Sequence, residues 1–278
     1  MSFPLSKYYL FLLLLPFLKI TGLWAQEPDS IATYNVRLDT PSDSGYLWEN
    51  RVSQLINLIR IHEMDIIGRN GGLYTQVEDL NKDLDFPYIG EGRESGESCA
   101  VFYNPEKFQL LDTGAFWLAP TPEKPVNGGD IARNRTCSWG KFKTSNDELF
   151  YVFNVHYHPI DPSALEESKK RLHKKITEIN KEHLPCILTG DFNGEEYKPA
   201  YQNSIEDTIQ NDEDQSYSPP NSSTKRISFP LRRAFYPEKS IGTVFFNADF
   251  SVEQLVSRGF NCGEKSPSTH SPLLAHLK

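Results

Sequence analysis

The segment Thr189-Gly190-Asp191-Phe192-Asn193 carries a carboxylate and an amide directly after a short apolar run. Asp191 and Asn193 are two positions apart, so in an extended segment both side chains point to the same side. A carboxylate can act as a general base, and an amide can orient the water that the base activates. The pair therefore indicates hydrolytic chemistry, although a Gly-Asp-x-Asn run is also common in ordinary turns.

Two histidines form a His-x-His pair earlier in the chain, at His156 and His158. On a strand this spacing places both imidazoles on one face, where they could bind a metal such as Zn²⁺. The alternative is that His158, which precedes Pro159, is a solvated loop residue. The sequence favours this second interpretation, because only two or three histidines and one aspartate are available as ligands.

Strand-like and helix-like segments alternate along the chain, and they must position these side chains. The predicted strands are residues 31–38, 65–68, 99–103, 108–118, 136–142, 149–156, 185–190, 243–246, 250–255 and 272–277, and the predicted helices are residues 48–61, 74–84 and 162–183. The irregular stretch 193–236 is expected to form a surface excursion near a functional edge. Two β-rich halves, each with its own helices, predict a layered α/β domain in which two sheets pack face to face.

Length and charge limit the possible functions. The chain has 278 residues, with 29 Lys and Arg against 37 Asp and Glu, and a formal net charge of −8. An acidic chain is not expected to coat nucleic acid, because that mode of binding requires a basic surface. The 38% of hydrophobic residues suffice for a large core, which excludes a disordered chain.

The first 25 residues have the pattern of a secretory signal, with an apolar run and a small residue at Ala25. We predict cleavage after this residue and a mature domain of residues 26–278, in the periplasm or outside the cell. Lys19 interrupts the apolar run too early for a membrane span. Loss of Lys7 and Lys19 would leave 27 basic against 37 acidic residues, a charge of −10.

Four cysteines are widely spaced, at Cys99, Cys137, Cys186 and Cys262. They show neither a C-x-x-C pair nor zinc-finger spacing. Buried thiols are the favoured interpretation. A bridge between Cys99 and Cys137 remains open in an oxidising compartment.

The Gly-Asp-Phe-Asn run is one of a series of short motifs spread over the chain. In chain order they are Tyr34-Asn35, Trp48-Glu49-Asn50-Arg51, Asp65-Ile66-Ile67-Gly68, Phe102-Tyr103, Phe116-Trp117-Leu118, Asn154-Val155-His156, Gly190-Asp191-Phe192-Asn193 and Pro267-Ser268-Thr269-His270. The series resembles the endonuclease/exonuclease/phosphatase superfamily, specifically its exported bacterial branch, over residues 31–278. The resemblance implies a four-layer α/β sandwich of two mixed sheets flanked by helices. It also implies an active site at the sheet edges and Mg²⁺-dependent hydrolysis of phosphate esters.

Three carboxylates that the resemblance implies are absent. Gly71, Gly242 and Thr269 stand where relatives carry acidic residues. Five residues of the implied site remain, namely Asn35, His156, Asp191, Asn193 and His270. Asn35 is the one remaining residue that the resemblance assigns to the metal, as a vestigial ligand.

Two predictions about activity follow, one from the absent carboxylates and one from the residues that remain. Mg²⁺ is normally held by one or two carboxylates, so hydrolysis is predicted to be lost or strongly reduced, with no cofactor expected. New acids at positions 71, 242 and 269 are predicted to restore metal binding. The alternative is an active phosphoesterase that uses Mg²⁺, in which Asp191 activates water, Asn193 orients it, and His156 with His270 stabilises the phosphoryl charge.

Arg69 stands where relatives usually have an apolar residue, two positions before Gly71. An arginine near His158 and His270 could bind a small phosphorylated or anionic ligand without a metal. The alternative is that Arg69 extends to the surface and that the cleft is vestigial.

Overall fold

The computed structural model describes residues 29–42, 47–90, 99–118, 136–156, 162–191, 232–233, 242–246, 252–257 and 266–277. Asn193, His158, Cys262 and the predicted signal segment lie outside these ranges, so those interpretations stay predictions. The described cysteines, Cys99, Cys137 and Cys186, are buried thiols.

The described elements follow the predicted alternation closely. The strands are β1 (Asp29–Asn35), β2 (Ile66–Asn70), β3 (Tyr88–Ile89), β4 (Ala100–Tyr103), β5 (Phe108–Trp117), β6 (Thr136–Thr144), β7 (Leu149–His156), β8 (Cys186–Asp191), β9 (Arg232–Arg233), β10 (Gly242–Phe246), β11 (Val252–Ser257) and β12 (Leu273–Leu277). The helices are α1 (Val52–Ile61), α2 (Tyr74–Leu84) and α3 (Pro162–Ile179), and a short 3₁₀ helix spans Trp48–Asn50.

The strands form two mixed six-stranded sheets, which confirms the predicted fold class. One sheet has the order β11-β12-β1-β2-β4-β3 and the other has the order β5-β6-β7-β8-β10-β9. Apolar side chains from both sheets, such as Ile31, Val152 and Ile187, form a common core between them. A second cluster joins the first sheet to α1 and α2, and a third joins the second sheet to α3. The result is a four-layer α/β/β/α sandwich.

A buried amide links the two sheets near one edge. Asn154 Nδ2 donates to the main-chain oxygens of Arg69 at 2.9 Å and Ala100 at 3.0 Å, and its Oδ1 accepts from Thr189 Oγ1 at 3.0 Å. Gly68 allows this close approach, because a Cβ at that position would overlap the Thr189 side chain. The ends of β2, β7 and β8 are thereby held together.

The helix predicted over residues 48–61 divides at Arg51. Residues Trp48–Asn50 form a 3₁₀ turn, and α1 begins at Val52. The helix predicted to end at residue 183 ends instead at Ile179, because the Asn180 side chain bonds both main-chain groups of Leu184.

No helix in the described ranges combines the length and the apolar character that crossing a membrane requires.

Candidate functional site

Three of the sequence-predicted site residues end strands at the same edge of the sandwich. Asn35 is the last residue of β1, which runs parallel to β2. His156 and Asp191 end the parallel strands β7 and β8, where they are paired in register. Since parallel strands finish at a common edge, the topology brings together side chains that are far apart in sequence.

Asn35 and Asp191 join the two sheets at this edge through a direct hydrogen bond. Asn35 Nδ2 donates to Asp191 Oδ2 at 2.6 Å, and Asn35 Oδ1 accepts from the main-chain N–H of Arg37 at 2.9 Å. Both contacts give the same orientation of the amide, because a carboxylate only accepts and an N–H only donates. Asp191 is 1% exposed, so its charge is almost wholly removed from water.

His156 completes this part of the cluster. Its Nε2 lies 3.8 Å from Asp191 Oδ2, longer than a hydrogen bond but close enough for an electrostatic interaction when the imidazole is protonated. The side chain of His156 is 8% exposed. The carboxylate of Asp191 thus lies between an amide donor and an imidazole.

The loop before β12 brings His270 to the same edge. Ser268 Oγ donates to the main-chain oxygen of Asn35 at 2.7 Å and accepts from the main-chain N–H of His270 at 3.2 Å. Thr269, where the resemblance implies an acid, places its Oγ1 3.2 Å from His270 Nδ1. A hydroxyl therefore contacts the ring where a carboxylate was expected from the resemblance.

The surroundings of His270 favour the neutral imidazole. Burial lowers the pKa of His270 below its ordinary value of 6.5, and the positive charge of Arg37 acts in the same direction. The negative charge of Asp191 opposes both effects. Arg37 and Asp191 therefore both lie close enough to His270 to influence its protonation.

Arg51 fastens the two segments that carry Asn35 and His270. Its guanidinium, 3% exposed, donates to the main-chain oxygens of Val36, Arg37 at 2.7 Å and Pro267 at 3.1 Å. The sequence shows Arg51 only as part of a Trp-Glu-Asn-Arg motif, and no role was predicted for it. Its position 13 residues after the end of the predicted strand 31–38 gives no local signal of a contact with Pro267, 216 residues away.

Gly71 occupies a position that is poorly suited to a carboxylate side chain in this conformation. Its φ is +66°, a region that favours glycine. A Cβ at this position would lie 2.5 Å from Asn35 Oδ1. A side chain at position 71 would therefore meet both an unfavourable backbone conformation and the Asn35 amide.

Arg69 lies on the face of β2 that packs against α1 and α2, opposite the face that packs against the second sheet. Ile67 packs in the cluster beneath α1 and α2, and side chains two positions apart on a strand share a face. The Arg69 side chain is 0% exposed, and its Nη2 donates to the main-chain oxygen of Leu73 at 3.2 Å. The alternative that Arg69 extends to the surface is wrong, and its binding of an anion stays a prediction.

The sandwich and its edge cluster define the chain as a phosphoesterase-type α/β fold. It belongs to the Endonuclease/Exonuclease/phosphatase family, whose model matches residues 32–220.

Solved structures of the family are similar to this chain over most of its length. A mannosyl-6-phosphatase of Bacteroides thetaiotaomicron is 29% identical, with a TM-score of 0.72, and the match covers 90% of this chain and 99% of that structure. A family member from Bacteroides vulgatus is 26% identical, with a TM-score of 0.74 and coverage of 91% and 99%. An uncharacterized protein of Acanthamoeba polyphaga mimivirus is 30% identical over 167 residues, which span 55% of this chain and 62% of that protein.

Enzymes of this family are typically metal-dependent. No group of three or more His, Cys, Asp or Glu side chains in the described ranges could hold a metal ion. Asn35 Oδ1 accepts from the main-chain N–H of Arg37, which uses one of its two lone pairs. Gly242, where the resemblance implies an acid, pairs with Asp191 in β10 and supplies no carboxylate.

Proposed function

We propose that this protein is an exported member of the family that binds a phosphorylated ligand and whose Mg²⁺-dependent hydrolysis is lost or strongly reduced. The observation that carries the proposal is the geometry at Gly71. A backbone at φ +66° and an amide oxygen 2.5 Å from any Cβ leave no place for a metal-binding carboxylate without rearrangement. Mg²⁺ requires near-ideal octahedral oxygen ligands, so a displaced ligand is not readily replaced.

The charge of the remaining cluster supports an anionic ligand. Asp191 accepts a hydrogen bond from Asn35, and its Oδ2 lies 3.8 Å from His156 Nε2. Three positions that are acidic in relatives are neutral here, at Gly71, Gly242 and Thr269. With fewer carboxylates, the edge repels a phosphate group less strongly.

The class of ligand follows from the relatives as a proposal. A solved structure that is 29% identical is a mannosyl-6-phosphatase, so a phosphorylated sugar is the favoured ligand. Residues 1–25 resemble a secretory signal, which would bring the protein into contact with extracellular glycans.

Calorimetric titration of the purified protein tests this function. We expect inorganic phosphate and phenyl phosphate to bind without added metal, whereas Mg²⁺ alone produces no saturable heat. In parallel, Mg²⁺ is not expected to stimulate hydrolysis of p-nitrophenyl phosphate or bis(p-nitrophenyl) phosphate. Binding of Mg²⁺ in the absence of phosphate would refute the proposed loss of the metal site.

The second candidate is an active phosphoesterase. It is favoured by one observation, the retention of Asp191, His156 and His270 at the same edge. In that case Asp191 would activate water and the two imidazoles would stabilise the phosphoryl charge. Mg²⁺-stimulated turnover that Asp191→Ala abolishes would establish this candidate and overturn the first. A surface variant on α3, Lys170→Ala, serves as the control for purification artefacts.

A further inference from the structure

Arg37, two residues after the end of β1, has an unusual backbone conformation. Its φ is +62°, in the left-handed region that residues with a Cβ adopt at a disadvantage. Glycine or asparagine would occupy this position with less strain. Strain of this kind beside a candidate site is a reason to ask what the side chain does there.

Three hydrogen bonds hold the Arg37 main chain in this conformation. Its N–H donates to Asn35 Oδ1 at 2.9 Å. Its carbonyl oxygen accepts from Arg51 Nη2 at 2.7 Å and from Gln76 Nε2 at 3.1 Å. Both peptide groups that flank the Cα are thus constrained, and the direction in which the side chain leaves the backbone is fixed.

The groups that hold Arg37 are themselves anchored. Gln76 is 1% exposed, and its Oε1 accepts from the main-chain N–H groups of Leu73 at 2.8 Å and Asp39 at 3.1 Å. Arg51 also donates to the main-chain oxygens of Val36 and Pro267. The loop after β1 is therefore rigidly connected to α2 and to the segment before β12.

Arg37 lies at the same end of β1 as His270. The half-buried side chain lies close enough to His270 for its positive charge to lower the pKa of the imidazole. Asp191 acts on the same imidazole with the opposite sign. The main-chain contacts agree with this proximity: the N–H of Arg37 donates to Asn35 Oδ1, and Ser268, which donates to the main-chain oxygen of Asn35, also accepts from the main-chain N–H of His270. Both residues therefore lie on segments that are held to Asn35.

We propose that Arg37 binds the phosphate group of the ligand at this sheet edge, beside His270. The inference rests on the proposed phosphate-binding function and assigns the cation that a site without a metal requires. A guanidinium is always charged and presents paired N–H donors that match two phosphate oxygens. A side chain whose Cα is fixed also loses less conformational freedom on binding.

Arg37→Gln tests the assignment, because it removes the charge while keeping most of the side-chain length. Arg60→Gln is the matched control. Arg60 is an exposed residue near the end of α1, which leads to the start of β2 at the opposite sheet edge. Both variants change the net charge equally, so a long-range effect of charge would appear in both.

Calorimetric titration with inorganic phosphate and with phenyl phosphate gives the main result. We expect Arg37→Gln to weaken both ligands by about 10-fold to 100-fold, the range typical of charge-assisted hydrogen bonds. Arg60→Gln should change affinity by less than about twofold. Stronger binding of phenyl phosphate than of inorganic phosphate would identify the ester as the natural form of the ligand.

A second measurement checks where the guanidinium points, independently of any ligand. NMR titration of the His270 ring should show a higher pKa in Arg37→Gln than in wild type, and an unchanged pKa in Arg60→Gln. Equal phosphate affinity in wild type and Arg37→Gln would overturn the role of Arg37 and leave the proposed function standing. Absence of phosphate and phenyl phosphate binding by wild type would overturn both.

Discussion

Replacement of Gly71 by alanine tests whether the position of the missing acid is closed by its geometry. A residue with a Cβ at φ +66° is destabilised by about 1–2 kcal/mol relative to glycine. The new Cβ would also lie 2.5 Å from Asn35 Oδ1, so the amide must rotate. Rotation removes the Asn35 bond to the Asp191 carboxylate, which contributes about 1.5–3 kcal/mol. We expect Gly71→Ala to lower the free energy of unfolding by about 3–5 kcal/mol.

Urea denaturation followed by tryptophan fluorescence measures this change, and a double-mutant cycle isolates its cause. In an Asn35→Ala background the overlap is absent, so Gly71→Ala should destabilise by only about 1–2 kcal/mol. The coupling between the two positions is then about 2–3 kcal/mol. A loss below about 1 kcal/mol in wild type, or the same loss in both backgrounds, would refute the reasoning.

The same geometry changes the expectation for restoring the metal site. The sequence predicts that acids at positions 71, 242 and 269 would recover Mg²⁺ binding. Because glutamate at position 71 meets the backbone strain and the Asn35 overlap, we now expect the triple variant Gly71→Glu, Gly242→Asp, Thr269→Asp to bind no Mg²⁺ in calorimetry. Saturable binding of Mg²⁺ by this variant would contradict that expectation.

Three further predictions concern the groups around the site. Asn154→Ala removes the buried donor to the main-chain oxygens of Arg69 and Ala100 and should lower the free energy of unfolding by about 2–4 kcal/mol in urea denaturation; a loss under about 1 kcal/mol would count against the bridge. Arg51→Lys should destabilise the protein by about 2–3 kcal/mol and shift the NMR signals of His270, because one ammonium cannot replace a guanidinium that contacts three carbonyls. Unchanged signals would argue against a connection between Arg51 and the segment that carries His270. The pKa of His270 is lowered in the folded protein, so as the pH falls below 6.5 the unfolded chain binds a proton at this residue before the folded protein does. Wild type should therefore lose stability relative to His270→Asn in that range. Parallel stability curves would exclude this effect.

Periodic segments were predicted well from the sequence, and short or long-range features were not. The helix Tyr74–Leu84 and the strand Leu149–His156 lie where they are predicted, since the helix has apolar residues at helical spacing and the strand is an almost continuous apolar run. The strand Tyr88–Ile89 has two residues, too few for a periodic signal, and its pairing with β4 defines it instead. The strand Arg232–Arg233 falls inside the predicted irregular stretch for the same reason.

The sequence predicts which residues form the candidate site but not which contacts they make. The order of motifs brought Asn35, His156, Asp191 and His270 into one hypothesis, and the structure places all four at one sheet edge. The direct bond between Asn35 and Asp191 joins residues 156 positions apart, which no local pattern can indicate. The sequence gives no signal for Arg37, because its distinguishing features are a backbone angle and contacts with distant side chains.

The pairing of β1 with β12 has a consequence for how the chain folds. β1 has two neighbours in its sheet, and one of them, β12, follows it by almost the whole described chain. The bond from Ser268 to Asn35 closes a loop of 233 residues at the same place. During synthesis β1 therefore presents one unpaired edge until β12 emerges, and this edge is a site for incorrect pairing with other chains. Contacts of such long range slow folding, so the site is completed only after the C-terminal strand has been added.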